Sequence, residues 1–237
     1  PGEARSIARI VFEDVFQTRN PTAFEFNPKQ ESQFLEIRQR LLNGEPVQYV
    51  LGQADFFGLK FKVNPAVLIP RQETEELVAV AVACLRHSPP PNPELLDSGL
   101  GPGCGGNTLK KKYKPANLQG LEKSPEALAL SIENALELLG PGQFDFQLAD
   151  ILDRNCWPAF GRFDLIVSNP PYIPLSEQNL MPEHVLAHEP PLALFVKGAD
   201  PLVFYRAIVE FSLEKLNPGG ALFFECNEFN AGAVAAL

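Results

Sequence analysis

Residues that hold metal ions or form disulfides are scarce in this chain. Its 237 residues include four cysteines and three histidines. The cysteines are scattered and form no Cys-x-x-Cys pair, and His184 and His188, although four residues apart, have no evident third ligand. A zinc site needs three or four such ligands at regular spacing. We therefore expect reduced cysteines and no metal site.

Long apolar runs and clustered positive charge are also lacking. No segment approaches the ~20 consecutive apolar residues of a membrane span, and the first residues contain no apolar signal segment. The net charge is −9, whereas binding to a nucleic-acid backbone relies on clustered Lys and Arg. The one basic run, at 110–114, is interpreted as the solvated end of a helix. We expect a soluble cytoplasmic protein that contacts neither membrane nor nucleic acid directly.

Residues 1–45 are predicted to be helical. Phe34, Ile37 and Leu42 belong to an apolar stripe at helical spacing, and Gly44 is a suitable helix stop. The chain does not begin with Met, so we expect the natural protein to have earlier residues. These features predict a small, truncated helical domain at the N-terminus.

A β-hairpin is predicted to link this unit to the rest of the chain, over residues 46–66. Apolar and polar residues alternate from Leu59 to Val63, and Gly58 suits a tight turn. The hairpin would place the N-terminal helices beside the main domain.

Residues 67–237 are predicted to form the main domain, in which strands alternate with helices. Such alternation favours a mostly parallel, doubly wound sheet of the Rossmann-like α/β class. Gly219 and Gly220 are predicted to form the turn into the last strand. Ligands of such sheets bind beyond the carboxyl ends of the strands. Strands are predicted near 144–148, 163–168 and 220–225, and a helix at about 201–216.

A glycine-rich loop follows the first strand of the main domain. The motif Asp97-x-Gly99-x-Gly101-x-Gly103 precedes a predicted helix, and glycines let a backbone turn sharply and approach a ligand closely. These glycines are two residues apart, unlike the G-x-G-x-x-G spacing of dinucleotide sites. A cationic amino group suits Asp97 better than a phosphate does. For the loop alone, dinucleotide binding and plain packing stay open.

Two further acids extend the predicted ligand site. Glu122 lies at the predicted end of the next strand, where a carboxylate accepts hydrogen bonds from ribose hydroxyls. Asp150 follows another strand and could meet an adenine amino group, with Ile151 against the ring. S-adenosylmethionine combines an amine, a ribose and an adenine, so we predict it as the cofactor. The predicted cofactor-binding residues are Asp97, Gly99, Leu100, Gly101, Pro102, Gly103, Glu122, Asp150, Ile151 and Asn169.

The strand at 163–168 ends in the tetrapeptide Asn169-Pro170-Pro171-Tyr172. Two prolines can simply end a buried strand. At the carboxyl end of a strand, however, the Asn169 side-chain oxygen and the Pro170 carbonyl can each accept one N–H of a planar NH2 group. The prolines stiffen the backbone that carries these acceptors, and Tyr172 offers an aromatic wall. We predict Asn169, Pro170 and Tyr172 as catalytic residues for methyl transfer to such a group.

Four sequence blocks resemble the protein-(glutamine-N5) methyltransferases that modify class I peptide chain release factors. The blocks lie at 45–58, 67–78, 169–173 and 189–194, and the Pro-Arg-x-Glu-Thr-Glu motif at 70–75 is their most specific part. The resemblance implies a class I S-adenosylmethionine-dependent methyltransferase domain, a hairpin linker and an N-terminal domain that docks the release factor. The implied substrate is the glutamine of the Gly-Gly-Gln motif, methylated on its side-chain nitrogen.

The resemblance also implies a pocket for that glutamine. It places Leu68 and Arg71 at the border of the pocket, although from the residues alone Arg71 is equally consistent with a helix entry that carries a surface ion pair. The implied substrate-binding residues are Asn169, Pro170, Pro171, Tyr172, Leu68 and Arg71.

The chain departs from the family pattern at several positions. Leu100 and Pro102 are unusual in the loop, and Glu122 stands where Asp is usual. Gly105 and Gly106 make a weak start for the following helix. Two strands that close the family's sheet are expected to be missing at the C-terminus, which would leave an exposed sheet edge.

Three alternatives stay open from the sequence. The same turn serves N6-adenine methyltransferases, which flip a base and grip phosphates, and enzymes that methylate glutamine in a ribosomal protein. The third is a non-catalytic module that keeps the fold without cofactor affinity. The net charge of −9 argues against adenine, and the Pro-Arg-x-Glu-Thr-Glu motif favours class I release factors as partners of a monomeric enzyme.

Overall fold

The computed structural model of the chain describes residues 2–87, 90–198 and 200–237. The α-helices of these residues are α1 (Gly2–Asp14), α2 (Pro28–Leu42), α3 (Val47–Leu51), α4 (Gln72–His87), α5 (Cys104–Lys112), α6 (Pro125–Leu138), α7 (Glu183–His188), α8 (Pro191–Leu194), α9 (Val203–Lys215) and α10 (Ala231–Ala235). The strands are β1 (Gln53–Phe56), β2 (Leu59–Lys62), β3 (Glu94–Ser98), β4 (Asn117–Glu122), β5 (Phe144–Leu148), β6 (Phe163–Ser168), β7 (Ile173–Pro174), β8 (Phe195–Val196) and β9 (Leu216–Phe224).

Five parallel strands form the central sheet, in the order β5-β4-β3-β6-β9. This sheet, with helices on both faces, confirms the predicted doubly wound α/β class. The direction of strand addition reverses between β3 and β6. Their carboxyl ends therefore border the crevice in which ligands of such sheets bind.

Strand β3 is buried on both faces because its side chains alternate between two cores. Leu95 packs in one cluster with Val78 of α4 and Leu109 of α5, while Leu96 packs in another with Phe211 of α9. A fully buried side chain of this size contributes about 1.5–3 kcal/mol. Packing on both faces fixes β3, and with it the start of the glycine-rich loop.

The last strand differs from its prediction. β9 begins at Leu216 and not near residue 220, and its pairing with β6 shifts register just after Phe163. Gly219 and Gly220 lie in this irregular part, and Gly219 has a φ of +82°. The two glycines therefore form a bulge inside the strand and not a turn into it.

The N-terminal helices are confirmed, with one exception in their apolar stripe. Ile37 is buried, and Gly44, with a φ of +84°, ends α2 as predicted. Leu42 is 66% exposed, so its predicted place in the core is wrong. It follows Ile37 by five residues, a rotation of about 140° around the helix. Five aromatic rings fill the core of this unit: Phe12, Phe16, Phe24, Phe26 and Phe34.

The predicted hairpin is formed by β1 and β2, with Gly58 at a φ of +74° in its turn. It is shorter than the predicted range 46–66, because α3 occupies Val47–Leu51. Asn134 of α6 connects the hairpin to the main domain. Its Oδ1 accepts the Lys62 N–H at 2.8 Å, and its Nδ2 donates to the carbonyls of Lys62 at 3.0 Å and Pro102 at 2.9 Å. Because Pro102 belongs to the glycine-rich loop, Asn134 joins hairpin, helix and loop. The division into three domains stays a prediction.

The basic run at 110–114 is not fully solvated. Lys110 is only 9% exposed, and its Nζ donates to the carbonyls of Lys114, at 2.9 Å, and Ala116. The predicted solvated helix face is therefore wrong at Lys110. This side chain satisfies main-chain carbonyls beyond the end of α5, which is a favourable place for a cation.

Candidate functional site

A cleft opens at the carboxyl ends of the central strands, where ligands of such sheets bind. All predicted cofactor residues line it except Gly103, which is buried behind the loop against Asn107 and Ser131. The lining segments are 66–71, 97–102, 121–124, 149–151 and 167–171, with Thr74, Leu77, Cys104, Gly105, Ala127, Pro190, Leu192, Ala193, Phe204 and Ile208.

Asp97 lies where β3 meets the N-terminus of α5. Its Oδ2 accepts the Gly106 N–H at 2.6 Å. A Cβ atom added to Gly105 would lie 3.0 Å from the same oxygen, so the weak helix start is what lets α5 approach this carboxylate. Burial raises the pKa of Asp97 to about 7; the Gly106 N–H lowers it and the Glu122 carboxylate raises it further. Asp97 is thus poised to gain from a cationic partner.

Glu122 organises the loop at the end of β4. Its Oε2 accepts the Gly101 N–H and its Oε1 accepts the Ser124 N–H, each at 2.9 Å. Ser124 in turn caps α6, as predicted, by accepting the Ala127 N–H. Each carboxylate oxygen keeps a second lone pair. Glu122 can therefore hold the loop and still accept hydroxyl groups from a ligand.

Asp150 has a cationic neighbour that the sequence did not reveal. Its Oδ2 lies 2.7 Å from Lys123 Nζ, and its Oδ1 accepts the Leu152 N–H at 3.0 Å. Ile151, beside it, is 6% exposed and belongs to the core under β3. An adenine amino group would share the Asp150 carboxylate with Lys123.

The three acids fit S-adenosylmethionine in their order along the sheet. The strand order β5-β4-β3 places Asp150, Glu122 and Asp97 in a row at the carboxyl edge, with neighbouring strands about 4.8 Å apart. The row offers one carboxylate each to an adenine amino group, a ribose and an ammonium group. The individual roles of these residues stay predictions.

Asn169 lies at the carboxyl end of β6 and faces the cleft. Its Nδ2 donates to Thr74 Oγ1 at 3.2 Å, and Thr74 Oγ1 donates to Glu225 Oε2 at 2.5 Å. No described residue donates a hydrogen bond to Asn169 Oδ1. This oxygen is therefore available to accept an N–H from a substrate in the cleft.

The two prolines after Asn169 line the cleft, but Tyr172 is not among the lining residues. Beyond Pro171 the chain turns into β7, which pairs with β8. Tyr172 is half-buried, and burial together with the nearby Glu225 carboxylate raises the pKa of its phenol. Its place as an aromatic wall and its catalytic role both stay predictions.

Leu68 and Arg71 both line the cleft, opposite the carboxyl ends of the strands. The Arg71 guanidinium is 2.6 Å from Glu189, whose side chain is 2% exposed, and Glu189 also accepts the Ile69 N–H at 3.4 Å. Arg71 is thus held by a buried acid rather than by a surface partner. Its predicted contact with the substrate remains a prediction.

Sequence reasoning assigned no role to three of these residues, Thr74, Glu189 and Glu225. Thr74 and Glu189 lie inside blocks that carry the family resemblance. The resemblance therefore drew attention to these positions, but it did not predict which residues they contact. Glu225 follows the last strand and is 151 residues from Thr74, to which it is hydrogen-bonded. Only the fold brings such distant residues together.

Two negative findings apply to the described part of the chain. In residues 2–87, 90–198 and 200–237, no group of three or more His, Cys, Asp or Glu side chains is arranged to hold a metal ion. Within the same ranges, every helix is too short or too polar to cross a membrane.

The chain matches known methyltransferases over most of its length. Residues 76–208 match the model of the methyltransferase small domain. Relatives named release factor glutamine methyltransferase include one from Bacteroides thetaiotaomicron, 43% identical over 80% of this chain and 66% of the relative. Others come from Flavobacterium psychrophilum, 39% identical over 84% and 67%, and Geobacter sulfurreducens, 40% identical over 89% and 71%. A solved methyltransferase from Pyrococcus furiosus has a TM-score of 0.49 at 15% identity, covering 88% of this chain and 84% of that one.

These matches cover both the loop and the turn that form the cleft. The chain spans about two thirds of the length of the curated relatives it matches: 66%, 67% and 71% of the three named here. The chain belongs to the family of release factor glutamine methyltransferases.

Proposed function

We propose that the protein transfers a methyl group from S-adenosylmethionine to the side-chain nitrogen, N5, of the glutamine in the Gly-Gly-Gln motif of class I peptide chain release factors. The observation that carries this proposal is the state of Asn169, which lines the cleft: its Nδ2 donates to Thr74, while its Oδ1 accepts from no described residue. The family to which the chain belongs supports the acceptor.

The acceptor amide is held by two oxygens of the turn. Asn169 Oδ1 accepts one N–H of the glutamine NH2 group and the Pro170 carbonyl accepts the other. With both hydrogens held, the nitrogen lone pair can face the methyl donor. Transfer would form the N–C bond as the methyl–sulfur bond breaks, leaving a neutral thioether, and the nitrogen would then lose one of its two protons to water. Pro170 and Pro171 restrict the backbone, so the acceptors are already placed before the substrate arrives.

The cofactor is held by the row of acids. S-adenosylmethionine, when bound, supplies an electrophilic methyl group on a sulfonium. Asp97 pairs with its ammonium group, Glu122 accepts its ribose hydroxyls, and Asp150 meets the adenine amino group. Alignment of the acceptor nitrogen with this site at ~3–3.5 Å can lower a barrier by several kcal/mol, up to ~7–11 in the best cases.

The pocket entrance and the N-terminal helices complete the proposal. Leu68 and Arg71 border the glutamine side chain, and residues 1–45 dock the body of the release factor. An acidic chain with a net charge of −9 suits a protein partner better than a nucleic acid.

The test is methyl transfer from labelled S-adenosylmethionine to a purified release factor. We expect label on the factor, and none on a matched factor in which the Gly-Gly-Gln glutamine is replaced by alanine. Equal labelling of both factors would contradict the proposed acceptor. No labelling, together with no binding of S-adenosylmethionine in calorimetry, would indicate a non-catalytic module.

A further inference from the structure

The amide of Asn169 is connected to an acid on the far side of the site. Thr74, in the first turn of α4, stands between Asn169 and Glu225, and its side chain contacts both. The three residues come from α4 and from the ends of β6 and β9. Thr74 is 6% exposed, so water does not readily replace its hydroxyl.

The directions of the two hydrogen bonds that join Asn169, Thr74 and Glu225 follow from the number of protons these side chains can donate. An ionised carboxylate can only accept, so the single hydroxyl proton of Thr74 goes to Glu225. The Thr74 oxygen can then only accept from Asn169. Asn169 must therefore present its NH2 group to Thr74, which turns its Oδ1 toward the cleft. The donors and acceptors of the three groups alone set this orientation of the amide.

The main chain of Glu225 is held by two hydrogen bonds, one through its N–H and one through its carbonyl. Its N–H donates to the Ser168 carbonyl at 3.0 Å, and its carbonyl accepts the Tyr205 hydroxyl at 3.0 Å. The first of these bonds continues the pairing of β9 with β6, the strand that carries Asn169. The acid and the amide therefore follow the ends of adjacent strands, and the Thr74 hydroxyl contacts both.

We propose that Thr74 and Glu225 are positioning residues that fix the Asn169 amide with its oxygen toward the acceptor NH2 group. Thr74 itself lines the cleft, but the positioning role requires no contact of Thr74 or Glu225 with the substrate. The proposal rests on the proposed function for its catalytic consequence, whereas the orientation of the amide is a property of the protein alone. Reversal of the amide would present an NH2 group to the substrate NH2 group, and two donors repel each other.

The charge state of Glu225 sets the direction of the hydrogen bonds. Burial raises the pKa of Glu225, the Thr74 hydroxyl lowers it, and Glu73 raises it, while Asn169 and Arg71 also lower it. A protonated Glu225 could donate to Thr74, which could then donate to Asn169 Oδ1. Transfer should therefore decline at acid pH, as pH falls through the pKa of Glu225. The titratable or charged groups that face this carboxylate are Arg71, Glu73, Cys104, Tyr172 and Tyr205.

The experiment compares Thr74→Val and Thr74→Ser, with Thr108→Val as the matched control. Thr108 is fully buried, and its hydroxyl has no partner among the described residues. Valine keeps the shape of threonine without the hydroxyl, and serine restores the hydroxyl. With a release factor as substrate, we expect Thr74→Val to lower kcat about 10- to 100-fold, with little change in the Kd of S-adenosylmethionine. Thr74→Ser should recover most of the loss, and Thr108→Val should behave as wild type.

A second measurement follows the environment of the Asn169 side-chain amide by NMR and needs no methyl transfer. In protein carrying 15N-labelled asparagine and no cofactor, the side-chain NH2 signals of Asn169 are identified by their loss in Asn169→Ala. We expect them to move toward the values of a free amide in Thr74→Val, and to stay near wild type in Thr74→Ser and Thr108→Val. Unchanged Asn169 NH2 signals in Thr74→Val would overturn the positioning role, even if the substitution lowers the rate of methyl transfer. If the signals respond but wild type labels no release factor, the positioning role stands and the proposed function fails.

Discussion

The main-chain N–H of Gly106 donates a 2.6 Å hydrogen bond to Asp97 Oδ2. This bond places the first turn of α5 directly against an acid of the cofactor cleft. It depends on the missing side chain, because a Cβ atom on Gly106 would lie 3.0 Å from both Asp97 Cβ and Leu118 Cδ1. The same glycines that weaken the helix start thus set the position of the carboxylate.

Substitution of this glycine tests the close approach. Gly106→Ala gains up to about 1 kcal/mol of helix propensity but forces contacts that cost about 1–3 kcal/mol. We expect a net loss of stability in urea unfolding and weaker binding of S-adenosylmethionine in calorimetry. The control is Gly232→Ala, at a helical glycine with no atom within 4 Å of an added Cβ. A Gly106→Ala protein as stable as this control would show that the approach is not tight.

Cofactor binding should depend on the ionisation of Asp97. Because burial raises the pKa of Asp97 to about 7, the unliganded protein holds a proton there below that pH. The affinity for S-adenosylmethionine should therefore rise as pH rises through about 7. Asp97→Asn keeps an acceptor for the Gly106 N–H but loses the charge, and should weaken binding about 10- to 100-fold. Calorimetry across pH 6–8 should show that the affinity of this variant for S-adenosylmethionine no longer depends on pH. An equal pH dependence in both proteins would show that Asp97 is not the group responsible.

Much of this architecture could be predicted from sequence because it rests on local patterns. The turn residue Gly58, the helix stop at Gly44 and the Ser124 cap follow from backbone chemistry within a few residues. The misplaced residues needed tertiary information. Lys110 is folded back onto main-chain carbonyls, and Leu42 points away from a core whose direction only the packing defines.

The site, too, combines residues that local sequence patterns predict with contacts that only the tertiary fold creates. The loop from Asp97, the acids Glu122 and Asp150 and the turn at Asn169 were recognisable because each follows a strand of a parallel sheet. The Thr74–Glu225 contact was not, because residues 151 positions apart carry no joint signal in a single sequence. The path of the chain after the turn could not be predicted for a related reason, since it depends on the pairing of β7 with β8.

The ion pair between Arg71 and the buried Glu189 should contribute to the stability of the fold. Arg71→Ala would leave Glu189, with a side chain 2% exposed, facing only the distant Ile69 N–H. Breaking a buried pair costs about 3–5 kcal/mol, and the partial exposure of Arg71 reduces this to about 1–2 kcal/mol. Adding Glu189→Gln to Arg71→Ala should recover part of the loss.

Urea unfolding of the single and double variants measures this coupling. The control is Arg206→Ala, which removes a pair with Asp200 whose side chains are 51% and 47% exposed. That change should cost less than about 1 kcal/mol. Arg71→Ala and Arg206→Ala proteins of equal stability would show that Glu189 does not need its partner.

Asn169 should affect turnover without affecting the cofactor. Asn169→Ala removes one of two preorganised acceptors, a change of the kind that costs about 10²–10³ in kcat. Asp97, Glu122 and Asp150 are untouched, so calorimetry should give the wild-type affinity for S-adenosylmethionine. The control is Asn230→Ala, at an asparagine whose side chain makes no capping hydrogen bond. A loss of cofactor affinity equal to the loss of turnover would show that Asn169 acts on the cofactor instead.

The most direct test of the central claim is the site of methylation in a release factor. After reaction with the protein and S-adenosylmethionine, the factor is digested and the peptide that contains the Gly-Gly-Gln motif is sequenced by mass spectrometry. We expect the mass of one added methyl group on the glutamine of that motif, and no addition when the protein carries Asn169→Ala. A methyl group on any other residue, or an unchanged peptide from active, cofactor-bound wild-type protein, would contradict the proposed function.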